Sequence, residues 1–225
     1  MNKSHTNSHS ESGFSLMELV VSLGIMVLLM TAASVLLASS FAIRSRENQR
    51  SAAIADAQRA LNMMSREIAN AGYGLSSNGI VTGDSGLTQI RVRSDLDLSG
   101  ATNGTGEDIK YVLVNDANGS FIVRLNIQPA QSTGLIANRI DGMSIYYYDQ
   151  RVTYTLGVGV ISNVLNSSGA FQAEVASPAN AKYVVLVLRV TLPAVGTPGS
   201  SGYQPASATQ LASTITLRNS NLDKF

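Results

Sequence analysis

The stretch that decides the fold runs from Gly13 to Ala42 and reads GFSLMELVVSLGIMVLLMTAASVLLASSFA. Glu18 is its only charged residue, and residues 19–43 carry no charge at all. A helix needs roughly 20 apolar residues to cross a bilayer core about 30 Å thick, and this stretch is longer than that. The apolar region of a secretory signal peptide has only about 7–15 residues and is followed by a small-residue cleavage site. The pattern therefore predicts a membrane-spanning helix rather than a secretory signal.

Glu18 is the unusual residue of this stretch, because a carboxylate in an apolar helix is costly unless a cation pairs with it. The run G-F-S-L-M-E resembles the processing site of type IV prepilins. The resemblance implies that a prepilin peptidase cuts between Gly13 and Phe14 and that the new Phe14 amine is N-methylated. It also implies that Glu18 is the subunit-docking residue, which pairs with the Phe14 amine of a neighbouring subunit. The alternative is a plain membrane anchor in which the glutamate has no such role.

Charges on the two sides of the apolar stretch bear on its orientation. Residues 1–13 form the expected prepilin leader peptide, in which Lys3 is offset by Glu11, whereas three arginines follow the stretch in 44–50. The positive-inside rule alone would place these arginines in the cytoplasm. The prepilin resemblance implies the reverse: a single-pass inner-membrane protein with the C-terminal domain outside the cytoplasm. Residues 14–43 are then the transmembrane or filament-core half of a long helix.

Apolar residues continue beyond the arginines at spacings of three and four, which is one face of an amphipathic helix. They are Ile54, Ala57, Leu61, Met64, Ile68 and Ala71. Because no proline intervenes and Gly72 and Gly74 supply a stop signal, one helix is predicted from Phe14 to Ala71, about 87 Å long. Residues 44–74 are its amphipathic half, which we expect to pack against a β-sheet as core, Met64 included.

From Gly79 onward the pattern changes to alternation with turn residues between the runs, which predicts β-strands. Asn118-Gly119 is the turn signal of a hairpin. Loops are predicted at Gly157–Ala181 and Pro193–Gln210. The sequence thus predicts an α+β, type IV pilin-like fold, with residues 75–225 as a β-rich globular domain and a mainly antiparallel sheet. The predicted strands are Thr88–Arg93, Ile109–Val114, Ser120–Asn126, Ile140–Tyr148, Arg151–Leu156, Tyr183–Leu192 and Ala212–Arg218.

Looser matches along the chain resemble PilW-like minor pilins. They are SREIANAGYG at 65–74, IDGMSIYYY at 140–148, VLVLRVTL at 185–192 and TITLRNS at 214–220. The resemblance implies a structural subunit of a type IV pilus, at the tip or in an assembly-priming complex. Its partners would be the prepilin peptidase, other minor and major pilins, and the inner membrane before assembly, with the cell surface as its final place. J-type pseudopilins of type II secretion share the layout and are the nearest alternative.

The amino-acid composition of the chain argues against several classes of function. The chain has no cysteine, and its only histidines, His5 and His9, lie in the expected leader, so the commonest catalytic bases and nucleophiles are missing from the mature chain. We expect neither an enzyme nor a cofactor. The net charge of +1 does not favour a nucleic-acid partner. A membrane-tethered module that binds a ligand through residues 193–210 or through Tyr146–Tyr148 is a further alternative, although alternation along a strand predicts that most tyrosine area is core packing.

One acidic segment approaches the pattern of an EF-hand. Asp95 and Asp97 occupy its first and third positions and Gly100 the sixth, but the closing acid, Glu107, comes one residue late. A strand pattern also precedes the segment, where an EF-hand needs a helix. A polar hairpin loop explains the composition equally well. We therefore expect no metal site, with an oxygen-ligated Ca²⁺ site on Asp95, Asp97, Ser99 and Glu107 as the lesser alternative.

Overall fold

A computed structural model describes residues 13–117, 119–129, 131–138, 140–200 and 202–220. The helix α1 spans Leu16–Ala69 as one uninterrupted element of 54 residues. The predicted single helix is confirmed, and its ends differ from the prediction by two residues each. It stops after Ala69 because Gly72 and Gly74 adopt positive φ angles of 79° and 71°, which a helix cannot contain.

The chain forms two compact units. The first comprises α1 as far as Arg46 together with the segment Gly196–Gln204. The second comprises the chain from Glu47 to Val195 and from Pro205 onward, and it contains all the strands.

Nine strands in the described residues form three antiparallel sheets, with sheet orders β1-β2-β3-β4, β5-β8-β9 and β6-β7. The fold is therefore α+β, as predicted, and it is consistent with a pilin-like architecture. The division of the strands among three sheets was not predicted. Their bounds are β1 Gln89–Arg93, β2 Asp108–Asp116, β3 Gly119–Asn126, β4 Ser132–Asn138, β5 Gly142–Tyr148, β6 Thr153–Leu156, β7 Ile161–Leu165, β8 Tyr183–Leu192 and β9 Ser207–Thr216.

Three strand assignments from the sequence are wrong. β4 was not predicted, β7 lies in the predicted loop Gly157–Ala181, and β9 begins at Ser207 instead of Ala212. Because β9 begins at Ser207, the loop predicted at Pro193–Gln210 is shorter than expected. β4 is mostly exposed and β7 is only partly buried, so burial leaves no clear alternating pattern in their sequences, and each forms by backbone pairing to a neighbouring strand. The predicted β2–β3 hairpin is present, with Asp116 opposite Gly119, although Asn118 lies outside the described residues.

The main core of the second unit is built on the predicted stripe of α1. Ala57, Met64 and Ile68 are fully buried, and Leu61 and Ala71 are nearly so, whereas Ile54 is half-buried. Ala53 and Ala60 widen the buried face. This face packs in one cluster with side chains of both larger sheets, among them Ile90, Tyr111, Ile122, Leu186 and Leu188. The assignment of Met64 to the core is confirmed.

A smaller cluster lies on the other face of the β5-β8-β9 sheet. It consists of Tyr148, Val152, Val164, Val185 and Val187. β8 is consequently buried on both faces, which explains why its sequence is a nearly continuous apolar run instead of an alternating one.

Candidate functional site

The first turn of α1 and the residues just before it hold the positions that the sequence singled out. The Ser15 carbonyl accepts hydrogen bonds from the backbone N–H groups of Glu18 (3.0 Å) and Leu19 (3.1 Å). Glu18 therefore lies in the first turn, where the helix dipole favours a negative charge. The spacing of Ser15 and Glu18 is also that of a capping box, S-x-x-E, a sequence pattern that the sequence analysis missed. A glutamine at position 18 could still serve a capping box, because that needs only a hydrogen-bonding side chain. It could not serve the proposed subunit docking, which needs the negative charge.

Gly13, Phe14 and Glu18 are all exposed, and Phe14 retains 80% of its accessible surface. A Cβ placed on Gly13 would meet nothing within 4 Å. The peptide bond between Gly13 and Phe14 is thus open to an incoming enzyme at the tip of the helix. The backbone of the predicted cleavage site and the Glu18 carboxylate lie at the same helix end, one turn apart.

The apolar part of α1 is the only helix in the described residues that is long and apolar enough to cross a membrane. An 18-residue window of it has a mean hydropathy of 2.5, and none of that window is buried. Four of its hydroxyl groups bond to carbonyls of the same helix at 2.8–3.0 Å, so these four need no water partner in an apolar surrounding. The donors are Ser22, Thr31, Ser34 and Ser39. A helix that is apolar on all sides requires lipid or other helices around it.

The structure brings the carboxylates of Asp95, Asp97 and Glu107 together, with one oxygen of each within 4.8 Å of the others. Asp95 and Glu107 are buried, whereas Asp97 is exposed. Hydrogen bonds from the backbone hold the Glu107 side chain: Oε1 accepts from Leu96 N–H at 2.8 Å, and Oε2 accepts from Gly104 N–H at 2.6 Å. The loop is therefore closed around the Glu107 carboxylate.

Asp95 organises the other side of the same loop. Its two carboxylate oxygens accept N–H bonds from Ser99 at 2.9 Å and from Gly100 at 2.8 Å. Asp97 also accepts the Ser99 N–H, at 3.0 Å, and hydrogen bonds from Ser99 lower the pKa of the Asp97 carboxyl. The donors satisfy both oxygens of each buried carboxylate, so hydrogen bonding explains the acidic composition without a cation. The four residues of the lesser Ca²⁺ alternative thus meet in one loop that its own backbone stabilises.

The three consecutive tyrosines alternate between the faces of β5, as predicted. Tyr147 points into the main core and donates a hydrogen bond to the Gly86 carbonyl at 3.2 Å, while Tyr148 is buried in the smaller cluster. Burial raises the pKa of Tyr148 to about 12. Tyr146 is half-buried beside that cluster. Most of the tyrosine surface is therefore used in packing, which leaves little for stacking on a ligand.

Glu67 is the residue whose role the sequence analysis missed most clearly. It lies beside the apolar stripe and is not part of it, and its carboxylate accepts hydrogen bonds from the hydroxyl of Tyr111 and from the guanidinium of Arg124 at 3.0–3.3 Å. Tyr111 is fully buried, and burial, followed by the Glu67 charge, raises the pKa of its hydroxyl. This group ties α1 to β2 and β3. Tyr111 and Arg124 are 44 and 57 residues away from Glu67 in the sequence, so no local pattern marks the group.

A second charged network lies at the start of the first sheet. The Asp108 carboxylate is 2% exposed and accepts two hydrogen bonds from Arg91 at 2.7 Å and one from Arg93 at 2.9 Å. Burial acts to raise the pKa of Asp108, but the two guanidinium groups lower it below its ordinary value. Asp84 completes the network by pairing with Lys110 and Arg91, which lower its pKa as well.

No protein-family model matches the chain, and no curated protein and no solved structure is significantly similar to it. The candidate functional site is accordingly the one that the sequence singled out, and the structure supplies its geometry. It consists of the exposed Gly13–Phe14 bond, the Glu18 carboxylate and the uncharged surface of α1 that follows.

Proposed function

We propose that the chain is a PilW-like minor pilin, a structural subunit of a type IV pilus in its tip or assembly-priming complex. The observation that carries the proposal is the continuity of α1. One unbroken helix joins an apolar half, in which Glu18 is the only charge and nearly every side is exposed, to a half whose apolar face packs in the core of a β-rich unit. A helix of this kind suits a subunit whose apolar half moves from lipid into a bundle of like helices.

In the proposed mechanism, the apolar half of α1 anchors the precursor in the inner membrane with the β-domain outside the cytoplasm. The prepilin peptidase cleaves between Gly13 and Phe14, which frees an amine at the end of the helix and leads to its N-methylation. The Glu18 carboxylate then pairs with the Phe14 ammonium of a neighbouring pilin. Each charge alone is costly in an apolar surrounding, so their pairing favours docking over unpaired contact.

The first test is mass spectrometry of the N-terminus of the membrane-extracted protein, combined with the variants Glu18→Ala and Glu18→Gln. We expect a methylated Phe14 end in all three proteins. We expect both variants to enter filaments at least about tenfold less than the wild type, because removal of one partner leaves a charge buried and unpaired. Filament content is measured by quantitative immunoblotting of sheared pili.

Glu18→Gln is the decisive comparison, since glutamine retains the capping-box pattern while removing the charge. Normal incorporation of this variant would show that Glu18 only caps the helix. A native chain that keeps residues 1–13, or that lacks the whole apolar segment, would contradict the proposal more directly.

The two alternatives give other outcomes in the same experiments. A type II secretion pseudopilin would be processed identically but would be recovered with the secretion apparatus instead of with sheared pili. A membrane-tethered ligand-binding module would retain its function when Glu18 is changed to Ala, because such a module needs the anchor and not the docking pair.

A further inference from the structure

A short segment far along the chain lies against the apolar part of α1. We name it the interface loop and define it as Gly196–Ser200 and Gly202–Gln204, which belong to the same compact unit as α1 up to Arg46. A Cβ placed on Gly202 would lie 3.7 Å from the Ala42 Cβ and 3.9 Å from the Ser39 Cα. Between residues 13 and 45, Ser39 and Ala42 are the two residues of the helix that are half-buried, and the others are exposed.

The interface loop is compact and rich in polar backbone. The Thr197 carbonyl accepts both the N–H of Ser200 at 3.0 Å and its hydroxyl at 2.7 Å, and the Ser200 carbonyl accepts the Tyr203 N–H at 3.1 Å. The described residues of the loop carry no charge. Irregular backbone of this kind is not tolerated in the hydrocarbon core of a bilayer when it faces lipid.

The position of the interface loop therefore limits how much of α1 can lie in the hydrocarbon core. Residues 19–43 are uncharged and would span about 37 Å as a helix, more than the roughly 30 Å of a bilayer core. The interface loop contacts α1 at Ser39 and Ala42, which lie five and two residues before the first arginine, Arg44. If hydrocarbon ends where the loop begins, the embedded part is residues 19–38, which span about 30 Å. The position of the loop therefore matches the thickness of the bilayer, whereas the uncharged stretch alone exceeds it.

We propose that the interface loop lies in the headgroup layer of the membrane and fixes the depth of α1 in the bilayer, with Tyr203 as an interfacial aromatic anchor. Tyrosine prefers this layer because its ring is apolar and its hydroxyl remains hydrated. The partner of the loop is therefore the headgroup region of the bilayer. Because the described residues of the loop carry no charge, we expect this contact to depend neither on anionic lipid nor on salt. The inference rests on the membrane-anchored precursor of the proposed function.

The sequence contains no tryptophan, so a single introduced tryptophan reports on one position. Three full-length variants are compared in proteoliposomes: Tyr203→Trp, Leu29→Trp at the centre of the apolar stretch, and Phe171→Trp, an exposed position in the other unit. The quenchers are lipids with a nitroxide on the headgroup and lipids brominated deep in the acyl chain. We expect Tyr203→Trp to be quenched by the headgroup nitroxide roughly threefold more than Phe171→Trp, with little quenching by the bromolipid. Leu29→Trp should show strong bromolipid quenching.

Substitutions at two glycines of the interface loop test whether its contact with α1 matters, one as the test and the other as its control. Gly202 and Gly199 have similar φ angles of 84° and 87°, so valine is equally strained at both, but a Cβ on Gly199 meets nothing within 4 Å. In the Tyr203→Trp background, Gly202→Val should displace the loop from α1 and reduce headgroup quenching to the level of Phe171→Trp. Gly199→Val should leave the quenching unchanged.

The outcomes separate this inference from the proposed function. If Leu29→Trp is quenched by bromolipid and Tyr203→Trp behaves like Phe171→Trp, the anchor stands and the interface loop is overturned. Equal effects of Gly202→Val and Gly199→Val would also overturn it, because the contact with α1 would then play no part. If Leu29→Trp is not quenched, the membrane anchor and the loop proposal fail together.

Discussion

Gly79 lies where the chain that leaves α1 passes alongside β1. Its carbonyl accepts the Arg93 N–H at 2.8 Å, and the Arg93 carbonyl in turn accepts the N–H of Gly72 at 2.9 Å. A Cβ on Gly79 would lie 2.2 Å from the Gly72 nitrogen and 2.3 Å from the Arg93 oxygen, and the φ angle of 75° is unfavourable for any other residue. The helix end and the first strand are thus joined through backbone that has no room for a side chain.

We expect Gly79→Ala to lower the free energy of unfolding by about 3 kcal/mol or more, since backbone strain and overpacking add. The measurement is denaturant unfolding of the detergent-solubilised chain, followed by circular dichroism. Gly86→Ala is the control, because a Cβ there meets nothing within 4 Å and its φ angle is ordinary. Equal stability losses in the two variants would contradict the role assigned to Gly79.

At the scale of elements, the helix and the first sheet are held together by more than the apolar face. The Glu67 carboxylate is about one-fifth exposed, as is Arg124, so the pair is only partly screened by water. The same carboxylate accepts the hydroxyl of the fully buried Tyr111. Loss of Glu67 would leave a buried hydroxyl without its acceptor and a guanidinium without its counter-charge.

Glu67→Ala is therefore expected to cost about 3 kcal/mol in the free energy of unfolding. Asp56→Ala on the same helix removes an exposed pair with Arg59, and we expect a change below about 0.5 kcal/mol. Both are measured by urea unfolding under identical detergent conditions. A Glu67 variant no less stable than the Asp56 variant would mean that the apolar face alone fixes the helix on the sheet.

At the scale of the whole molecule, the charged network around Asp108 makes stability depend on pH. The pKa values of Asp84 and Asp108 are lowered in the folded chain, so it binds fewer protons than the unfolded chain in the acid range. Their contribution is fully present above the unfolded pKa of about 3.9 and is lost as the pH falls through the lower folded values.

We expect Asp108→Asn to lower the free energy of unfolding by about 3 kcal/mol at pH 7, because Arg91 and Arg93 lose a buried counter-charge. The difference from the wild type should shrink as the pH falls below about 4, because the unfolded wild-type chain then takes up a proton at Asp108, and it should vanish once the pH is below the lowered pKa of the folded carboxyl. Asp56→Asn serves as the surface control. A difference that stays constant down to strongly acid pH would show that Asp108 acts through shape and not through charge.

The sequence by itself determined the elements whose pattern is set by burial. The spacing of Ala57, Leu61, Met64 and Ile68 marks a helix face because the residues of one face recur every three or four positions. The absence of charge in residues 19–43 marks a segment that can be embedded in lipid, and the Phe14–Ala71 prediction follows from the lack of proline. β8 was predicted with its observed bounds because its apolar run is bounded by turn residues.

Only the tertiary structure decided the features that depend on a distant partner. β4, β7 and the first half of β9 form by backbone hydrogen bonding to a neighbouring strand. Because the backbone N–H and C=O groups are nearly the same in every residue, this pairing leaves no signal in the sequence. The partners of Glu67 and Asp108 come from other elements, and the contact of the interface loop with Ser39 and Ala42 joins segments about 160 residues apart. The local sequence indicates which side of a helix or strand is buried, but it does not indicate which distant residue packs against that side.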